Sequence, residues 1–203
     1  MITNGYCTLD DVKNAASIPL ADTIDDGLLE SAVEAASREI DGYCERQFYS
    51  TAATRVYRPT DSFLTETDDI VSLTTLKTSS DGTGFDVTWA ASDYQLEPLN
   101  GLAGGITTPY TRIRAVGNYL FPIWDPLNVN AREATVQVTG TFGFSSVPTV
   151  IKQATIILAL RLWKRLDSPL GAVGFGDIGV IRVSRLDPDI ESLVSPYRRI
   201  RMA

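Results

Sequence analysis

The sequence predicts an α+β protein: a small helical bundle that carries an inserted antiparallel β domain and ends in a flexible C-terminal tail. Three observations lead to this class. Apolar residues recur at helical spacing before residue 50 and again after residue 148. Between them, runs rich in Thr, Val, Ile and aromatic residues are separated by turn-forming pairs such as Asp81-Gly82 and Asn100-Gly101, which is typical of short antiparallel strands.

The bundle is predicted from two N-terminal helices and a long helix in the C-terminal half. Thr8 is a suitable N-cap for a short helix over about residues 8–17. An amphipathic helix is expected over 23–48, with one apolar stripe and one charged side. The segment 148–166 is apolar around most of its circumference, which favours a helix buried in the core or between subunits. A last short helix is expected over 187–195.

The strand-rich middle defines the domain organisation. Strands are predicted near residues 54–58, 70–77, 83–88, 94–96, 112–116 and 134–140, and another strand-like run near 180–184. We therefore expect a helical domain made of residues 1–50 and 148–195, an inserted antiparallel β domain over 51–147, and a C-terminal docking tail over 196–203.

Composition excludes several classes of function. The chain has 203 residues, a net charge of −7, no His and two Cys. Without His there is no imidazole base, no Ser-His-Asp triad and no His-ligated metal. Cys7 and Cys44 are too few for a thiolate metal site and are expected to be reduced, buried thiols. We expect no enzyme activity, no cofactor, no signal peptide and no membrane span.

The charge is unevenly distributed along the chain. Residues 1–50 have a net charge of −7 and residues 51–147 of −4, whereas residues 148–203 have a net charge of +4. An acidic face on one copy could therefore dock on a basic face of the next copy, or the two faces could simply be solvated. The overall acidity argues against a conventional duplex-DNA binder, since phosphate neutralisation needs surplus Lys and Arg.

Two patterns could carry chemistry but have simpler explanations. A G-x-G-x-x-G match lacks the preceding strand and following helix of a dinucleotide site, so a flexible hinge is favoured. Its candidate residues are Gly171, Gly174, Gly176 and Gly179. A catalytic or divalent-metal site formed by Glu66, Asp68 and Asp69 is the alternative to a protein without enzymatic chemistry.

Three surfaces are candidates for binding a partner. The charged side of the long helix is a candidate inter-subunit or channel face, formed by Glu30, Glu34, Arg38, Asp41 and Glu45. The basic C-terminal end is a candidate docking peptide, with Tyr197, Arg198, Arg199 and Arg201. The aromatic and basic run 110–124 favours a strand edge and a hydrophobic loop that packs on a partner, with single-strand nucleic-acid stacking as the alternative.

The assembled pattern resembles the head–tail connector (adaptor) proteins of long-tailed bacteriophages and related gene transfer agents, the gene-product-six-like family. The resemblance rests on Y-C-T-L-D-D-V-K (6–13), I-D-G-Y-C-E-R-Q-F (40–48), the helix V-P-T-V-I-K-Q-A-T-I-I-L-A-L-R-L-W-K-R (147–165) and P-Y-R-R (196–199). The strand-rich middle departs from the smallest, nearly all-helical members.

The resemblance implies a structural virion protein rather than an enzyme. Such proteins form a ring, usually of twelve subunits, on the portal protein; the ring extends the DNA channel and supplies the surface to which a stopper or tail attaches. Double-stranded DNA would pass without sequence-specific binding. The expected location is the virion neck, after assembly in the host cytoplasm, and a stopper or tail-completion protein of the same neck is the alternative. The C-terminal segment 187–201 would clasp the portal.

Overall fold

The computed structural model describes residues 1–103, 106–123, 134–166 and 188–199, and the chain divides into two compact units. The helical unit comprises Met1–Tyr49 and Val147–Ala203, and the β unit comprises Ser50–Ser146. The helices are α1 (Leu9–Ala15), α2 (Asp26–Cys44), α3 (Thr149–Leu166) and α4 (Pro188–Val194), followed by a 3-10 turn (Ser195–Tyr197). The predicted α+β class is confirmed.

The first helix begins as the sequence predicts. Thr8 and Asp11 form a capping box, in which the Asp11 amide donates to Thr8 Oγ1 at 3.1 Å and the Thr8 amide donates to Asp11 Oδ2 at 2.9 Å. Val12 on this helix is fully buried. The cap therefore fixes where the helix starts, and burial of its apolar side fixes its orientation in the unit.

Helix α2 is shorter than the predicted span of 23–48, at both ends. Glu45 adopts a left-handed conformation with φ of 53°, which ends the helix after Cys44. The chain then turns so that the fully buried Phe48 ring meets the rings of Tyr6 and Tyr197 edge-on, with centroids 5.6 and 5.7 Å away. The predicted apolar stripe therefore continues past the end of the helix, where Phe48 is buried in the core although its backbone is no longer helical.

Helix α3 buries one face in the helical unit. Ile151, Ala154 and Ala159 are fully buried, and the buried Thr155 hydroxyl donates to the Ile151 carbonyl at 2.8 Å. Leu158 is 6% exposed, whereas Val150, Ile156, Ile157, Leu160, Leu162 and Trp163 are half-buried in the single chain. None of the helices in the described part of the chain is long and apolar enough to cross a membrane.

The strands of the β unit are β1 (Thr51–Tyr57), β2 (Leu64–Thr78), β3 (Val87–Trp89), β4 (Tyr94–Glu97), β5 (Leu102–Ala103), β6 (Ile106–Thr107), β7 (Tyr110–Ala115) and β8 (Val136–Phe142). Six of them form an antiparallel sheet with strand order β1-β8-β2-β7-β4, in which β3 pairs with β2. The other two, β5 and β6, form a separate two-stranded hairpin.

Two strands differ most from their predicted bounds. β2 extends back to Leu64 because its first half pairs with β7 and its second half with β8. The predicted strand at 83–88 is largely a loop, because aspartate side chains bond to the backbone of this region: Asp81 Oδ1 accepts from the Thr83 amide at 2.8 Å, and Asp86 Oδ1 accepts from the amide of the preceding Ser80 at 2.9 Å. The strand-like run at 180–184 lies outside the described residues.

One face of the sheet carries the core of the β unit. The indole of Trp89 stacks on Phe121 with centroids 4.8 Å apart, and its Nε1 donates to Thr78 Oγ1 at 2.9 Å. Fully buried residues from three strands complete the core: Ile70, Leu76, Ile113, Val136, Val138 and Phe142. The β unit therefore has a hydrophobic core of its own.

Candidate assembly surfaces

The predicted charged side of α2 is engaged by the chain's own first six residues. Glu34 Oε1 accepts from the Asn4 amide at 3.1 Å and also from the Thr3 amide, while the Met1 amino group pairs with Glu30. From the same side, Arg38 Nη2 donates to the Asn4 carbonyl at 2.9 Å. Much of this face is therefore used within the subunit.

The same side ends in a hydrogen-bonded cluster around Tyr6. The Tyr6 hydroxyl donates to Asp41 and accepts from the Phe48 amide at 2.8 Å, and Arg38 Nε lies 3.0 Å from Asp41 Oδ2. Burial and the Asp41 hydrogen bond raise the pKa of Tyr6, and burial raises the pKa of Asp41 against the lowering effect of Tyr6 and Arg38. Glu45 lies beyond the helix end and is exposed.

The C-terminal candidates separate into a buried and an exposed group. Tyr197 is only 7% exposed and packs against Phe48, and the Arg199 amide donates to the Cys44 carbonyl at 2.9 Å. Arg198 is exposed, with its guanidinium 5.5 Å from the centroid of the Tyr43 ring. The sequence predicts that 196–199 belongs to a docking tail outside the core. In the structure, this segment instead packs as part of the helical unit. Arg201 lies outside the described residues.

The structure gives little support to a catalytic or metal-binding site at Glu66, Asp68 and Asp69. Asp68 Oδ2 accepts from Arg55 Nη1 at 2.8 Å and from the Tyr57 hydroxyl at 3.2 Å, so it is an ion-pair partner on the sheet. Asp69 is buried and Glu66 is exposed. Across the described ranges, no group of three or more Cys, Asp or Glu side chains is placed to hold a metal ion. The hinge candidates Gly171, Gly174, Gly176 and Gly179 lie outside those ranges.

An exposed apolar cluster occurs where two loops of the β unit meet. The Phe121 amide donates to the Ser62 carbonyl and the Ala115 amide to the Phe63 carbonyl, each at 2.8 Å. These bonds hold exposed apolar side chains on adjoining loops: Phe63, Val116, Tyr119, Leu120 and Ile123. The aromatic and basic run 110–124 contains all of these residues except Phe63. Phe63 was not predicted, because it joins the cluster only through the backbone hydrogen bonds between the two loops.

Lys13 was not a predicted site residue, although it organises the chain before α2. It is 1% exposed, and its ammonium donates to the Leu20 carbonyl at 3.2 Å, to the Asp22 carbonyl and to Asp26 Oδ1 at 2.6 Å. A lysine in the last turn of a short helix carries no signal in the sequence that would distinguish it from a solvated one.

Comparison with known proteins places these features in context. Residues 6–79 match the model of the family described as "Phage gp6-like head-tail connector protein". No curated protein matches the sequence. A chain in the neck of an empty gene transfer agent (GTA) particle, computed with C6 symmetry, is similar with a TM-score of 0.61 and 18% identity, over 98% of this chain and 92% of that one.

A chain in the virion of a native GTA particle is similar with a TM-score of 0.54 and 19% identity, over 100% of this chain and 94% of that one. At these identities the likeness concerns the fold, and it extends over both units. The resemblance to the head–tail connector family predicted from the sequence is therefore confirmed, by the gp6-like connector model over residues 6–79 and by a fold shared with chains of GTA neck and virion particles.

Proposed function

We propose that this chain is a structural head–tail connector of a tailed-phage or GTA-like virion neck. The single observation that carries the proposal is the match of residues 6–79 to the gp6-like connector family. That segment contains α1, α2, β1 and β2, so it supplies elements of both units. The similarity of nearly the whole chain to a GTA neck chain supports the same role.

The proposed assembly is a ring, with twelve subunits as the family resemblance implies. The C6 symmetry of the similar neck particle is compatible with a ring of six or twelve copies. A ring needs heterologous contacts, in which one face of a subunit meets a different face of the next. The acidic first 50 residues and the basic residues after 147 supply faces of opposite charge for such contacts.

The proposed ring extends the DNA channel and offers an attachment surface for the stopper or tail. A net charge of −7 suits a conduit, because a strongly basic wall would hold the phosphates of DNA that has to move. The helical unit would serve as the adaptor domain and the β unit as an insert. Assembly would take place in the host cytoplasm before the virion is complete. No step of this role requires a catalytic residue or cofactor.

The proposed contact with the portal is the basic C-terminal end. Arg198 is exposed and Arg201 follows two residues beyond the described Arg199, whereas the buried Tyr197 would hold this end in place on the helical unit. Deleting residues 196–203 would remove that anchor together with the charges. A charge reversal at Arg198 is therefore the sharper test.

Portal binding by the Arg198→Glu variant tests this contact. We expect its affinity for purified portal rings to fall at least tenfold, about 1.4 kcal/mol, because a favourable charge becomes a repulsive one. Arg112→Glu, which makes the same charge change at an exposed position of β7, should bind as the native chain does. Native affinity in the Arg198→Glu variant would overturn the proposed contact. A native chain that ignores portal rings would overturn the proposed function itself.

A further inference from the structure

Helix α2 carries exposed apolar side chains on the side that faces away from the core of the helical unit. Leu28 is 51% exposed, and Ile24, in the turn before the helix, is 88% exposed. Ser31 and Ala35 continue the same side at helical spacing and are exposed as well. These four residues define the outer face of α2, which lies beside the charged side that the first six residues engage. Its large apolar side chains are in water, which is unfavourable unless a partner covers them.

Helix α3 carries a second apolar face on its own outer side. Ile156, Ile157 and Leu160 are half-buried in the single chain, and the exposed Gln153 and Lys164 lie on either side of them along the helix. These five positions recur at intervals of three or four residues, so they share one side of α3 and define its outer face. The side with the fully buried residues lies opposite.

The two outer faces lie on opposite flanks of the helical unit. Helices α2 and α3 pack against each other within this unit, each through its buried side. Trp163, near the end of α3, lines the same small cavity as Asp25 and Leu29 at the start of α2, so the two helices are antiparallel. Two packed helices with a different open face on each flank can repeat head to tail, which is the geometry of a heterologous contact.

The two helices carry opposite net charge. Helix α2 has five acidic residues and one basic residue, whereas α3 has four basic residues and no acidic residue. Asp25 and Glu39 border the outer face of α2, and the exposed Lys164 belongs to the outer face of α3. Opposite charges favour contact between α2 of one copy and α3 of another, and like charges disfavour contact between two copies of the same face.

We propose that the outer face of α3 in one copy packs on the outer face of α2 in the next copy. The choice of a second copy rests on the proposed function, because a ring requires contacts between unlike faces. The apolar residues of α3 would cover Leu28 and pack over the short side chains of Ser31 and Ala35. Helices α2 and α3 would then alternate around the ring, and every pair of neighbouring subunits would share the same contact.

An antiparallel arrangement of the two helices fits their charges. The end of α3, with Lys164, then lies near Asp25 at the start of the neighbouring α2. The partial charges of the helix termini favour the same direction, since the negative end of α3 meets the positive end of α2. In this arrangement Ala35 lies within about a helical turn of the level of Gln153 in the next copy.

Cysteine cross-linking on portal rings tests which faces meet. One chain carries Ala35→Cys and the other Gln153→Cys, both at exposed positions. They are mixed with portal rings and a bis-maleimide that spans about 10 Å, the axial spacing of packed helices. We expect a dimer that joins the two kinds of chain. Ala91→Cys, at an exposed turn of the β unit, should give at least tenfold less product when it replaces Ala35→Cys.

A cation in the middle of the contact should break it. Leu28→Arg, added to the chain with Ala35→Cys, places a positive charge against the basic outer face of α3 and removes apolar contact. We expect the yield of the cross-linked dimer to fall at least tenfold. Leu99→Arg makes the same exchange at an exposed leucine of the β unit and should keep the native yield. Equal yields from these two variants would overturn the proposal.

Co-sedimentation with portal rings, measured in the same samples, separates this inference from the proposed function. Chains that sediment with portal but give no dimer between the two kinds of chain would overturn the inferred contact and leave the function intact. Dimers of two Ala35→Cys chains would show paired α2 faces and would also overturn the contact. The expected dimer from chains that do not sediment with portal would support the contact and overturn the function. Chains that neither sediment nor cross-link would overturn both.

Discussion

At the residue scale, Lys13 is the clearest case of a charge that the fold depends on. Its buried ammonium joins two backbone carbonyls to Asp26, so removing it leaves these acceptors without their donor. We expect Lys13→Met to lower the free energy of unfolding by about 2–3 kcal/mol, less than for a fully buried pair because Asp26 is 27% exposed. Urea denaturation followed by circular dichroism measures the change.

Lys152 provides the matched control for this substitution. Its Nζ lies 2.8 Å from Asp11 Oδ1, but its side chain is 43% exposed. Solvent screens such a pair, so Lys152→Met should cost less than about 1 kcal/mol. Equal losses for the two variants would contradict the assigned role of Lys13.

The two buried thiols predict a loss of stability at high pH. Burial raises the pKa of Cys7 and the pKa of Cys44, each to about 12, whereas a thiol in the unfolded chain has a pKa near 8.5. The folded chain therefore retains protons that the unfolded chain releases. The thiols' contribution to stability is complete below about pH 8.5 and is lost as pH rises towards 12.

We expect the free energy of unfolding to fall between pH 8.5 and 11, by up to about 1.4 kcal/mol per pH unit for each thiol. The Tyr6 hydroxyl, whose pKa is also raised by burial, adds to the fall in the upper part of this range. Urea midpoints measured across these pH values for the native chain and for Cys7→Ala/Cys44→Ala give the comparison. The variant should show the shallower slope, and identical slopes would contradict the account.

At the element scale, the contact between β8 and β2 depends on Gly140. A Cβ at this position would lie 2.3 Å from the Ser72 carbonyl oxygen and 3.1 Å from Leu73 Cα, next to a register shift in β2. We expect Gly140→Ala to force the strands apart and to destabilise the β unit by about 2–4 kcal/mol. Thermal unfolding monitored by tryptophan fluorescence in a Trp163→Phe background reports on this unit, because the other two tryptophans, Trp89 and Trp124, both belong to it.

Gly84 is the control for Gly140, since no atom lies within 4 Å of where its Cβ would be. Gly84→Ala should leave the unfolding temperature unchanged or raise it slightly, because the unfolded chain loses conformational freedom. A comparable fall in the unfolding temperature of both variants would mean that the loss of stability does not come from the close contact between β2 and β8.

The helices and strands show which features a sequence can predict. Thr8 as the N-cap of α1 and the apolar pattern of α3 are local signals, and both predictions hold. The end of α2 depends on Glu45 taking a left-handed conformation, and no residue there signals it as Gly would. The predicted strand at 83–88 failed because Asp81 and Asp86 satisfy the backbone of a loop instead.

The candidate surfaces were predictable only in part, because contacts between residues far apart in the sequence decide which side chains are exposed. The sequence correctly marks the charged side of α2, but it cannot show that residues such as Asn4 and Tyr6 return to bind there. Tyr197 belongs to a basic, tail-like sequence and nevertheless packs on Phe48 from 149 positions earlier in the chain. Contacts of such separation depend on the assembled fold and leave no local pattern.

At the scale of the whole molecule, the β unit should be removable. Its first strand begins beside the end of its last, since Thr51 pairs with Phe142, so a short linker can join Tyr49 to Val147. We expect the chain with residues 50–146 replaced by Gly-Ser to keep its helical circular dichroism and to bind portal rings with native affinity, because the proposed portal contact lies on the helical unit. Loss of helical signal would contradict the independence of the unit.

The central claim is that this chain forms a ring on the portal vertex. Cryo-electron microscopy of purified portal rings mixed with excess chain tests it most directly. The account predicts added density of about a dozen subunits around the portal axis, with the DNA channel continuing through it. Portal rings that remain bare, with the chain monomeric in the same sample, would contradict it.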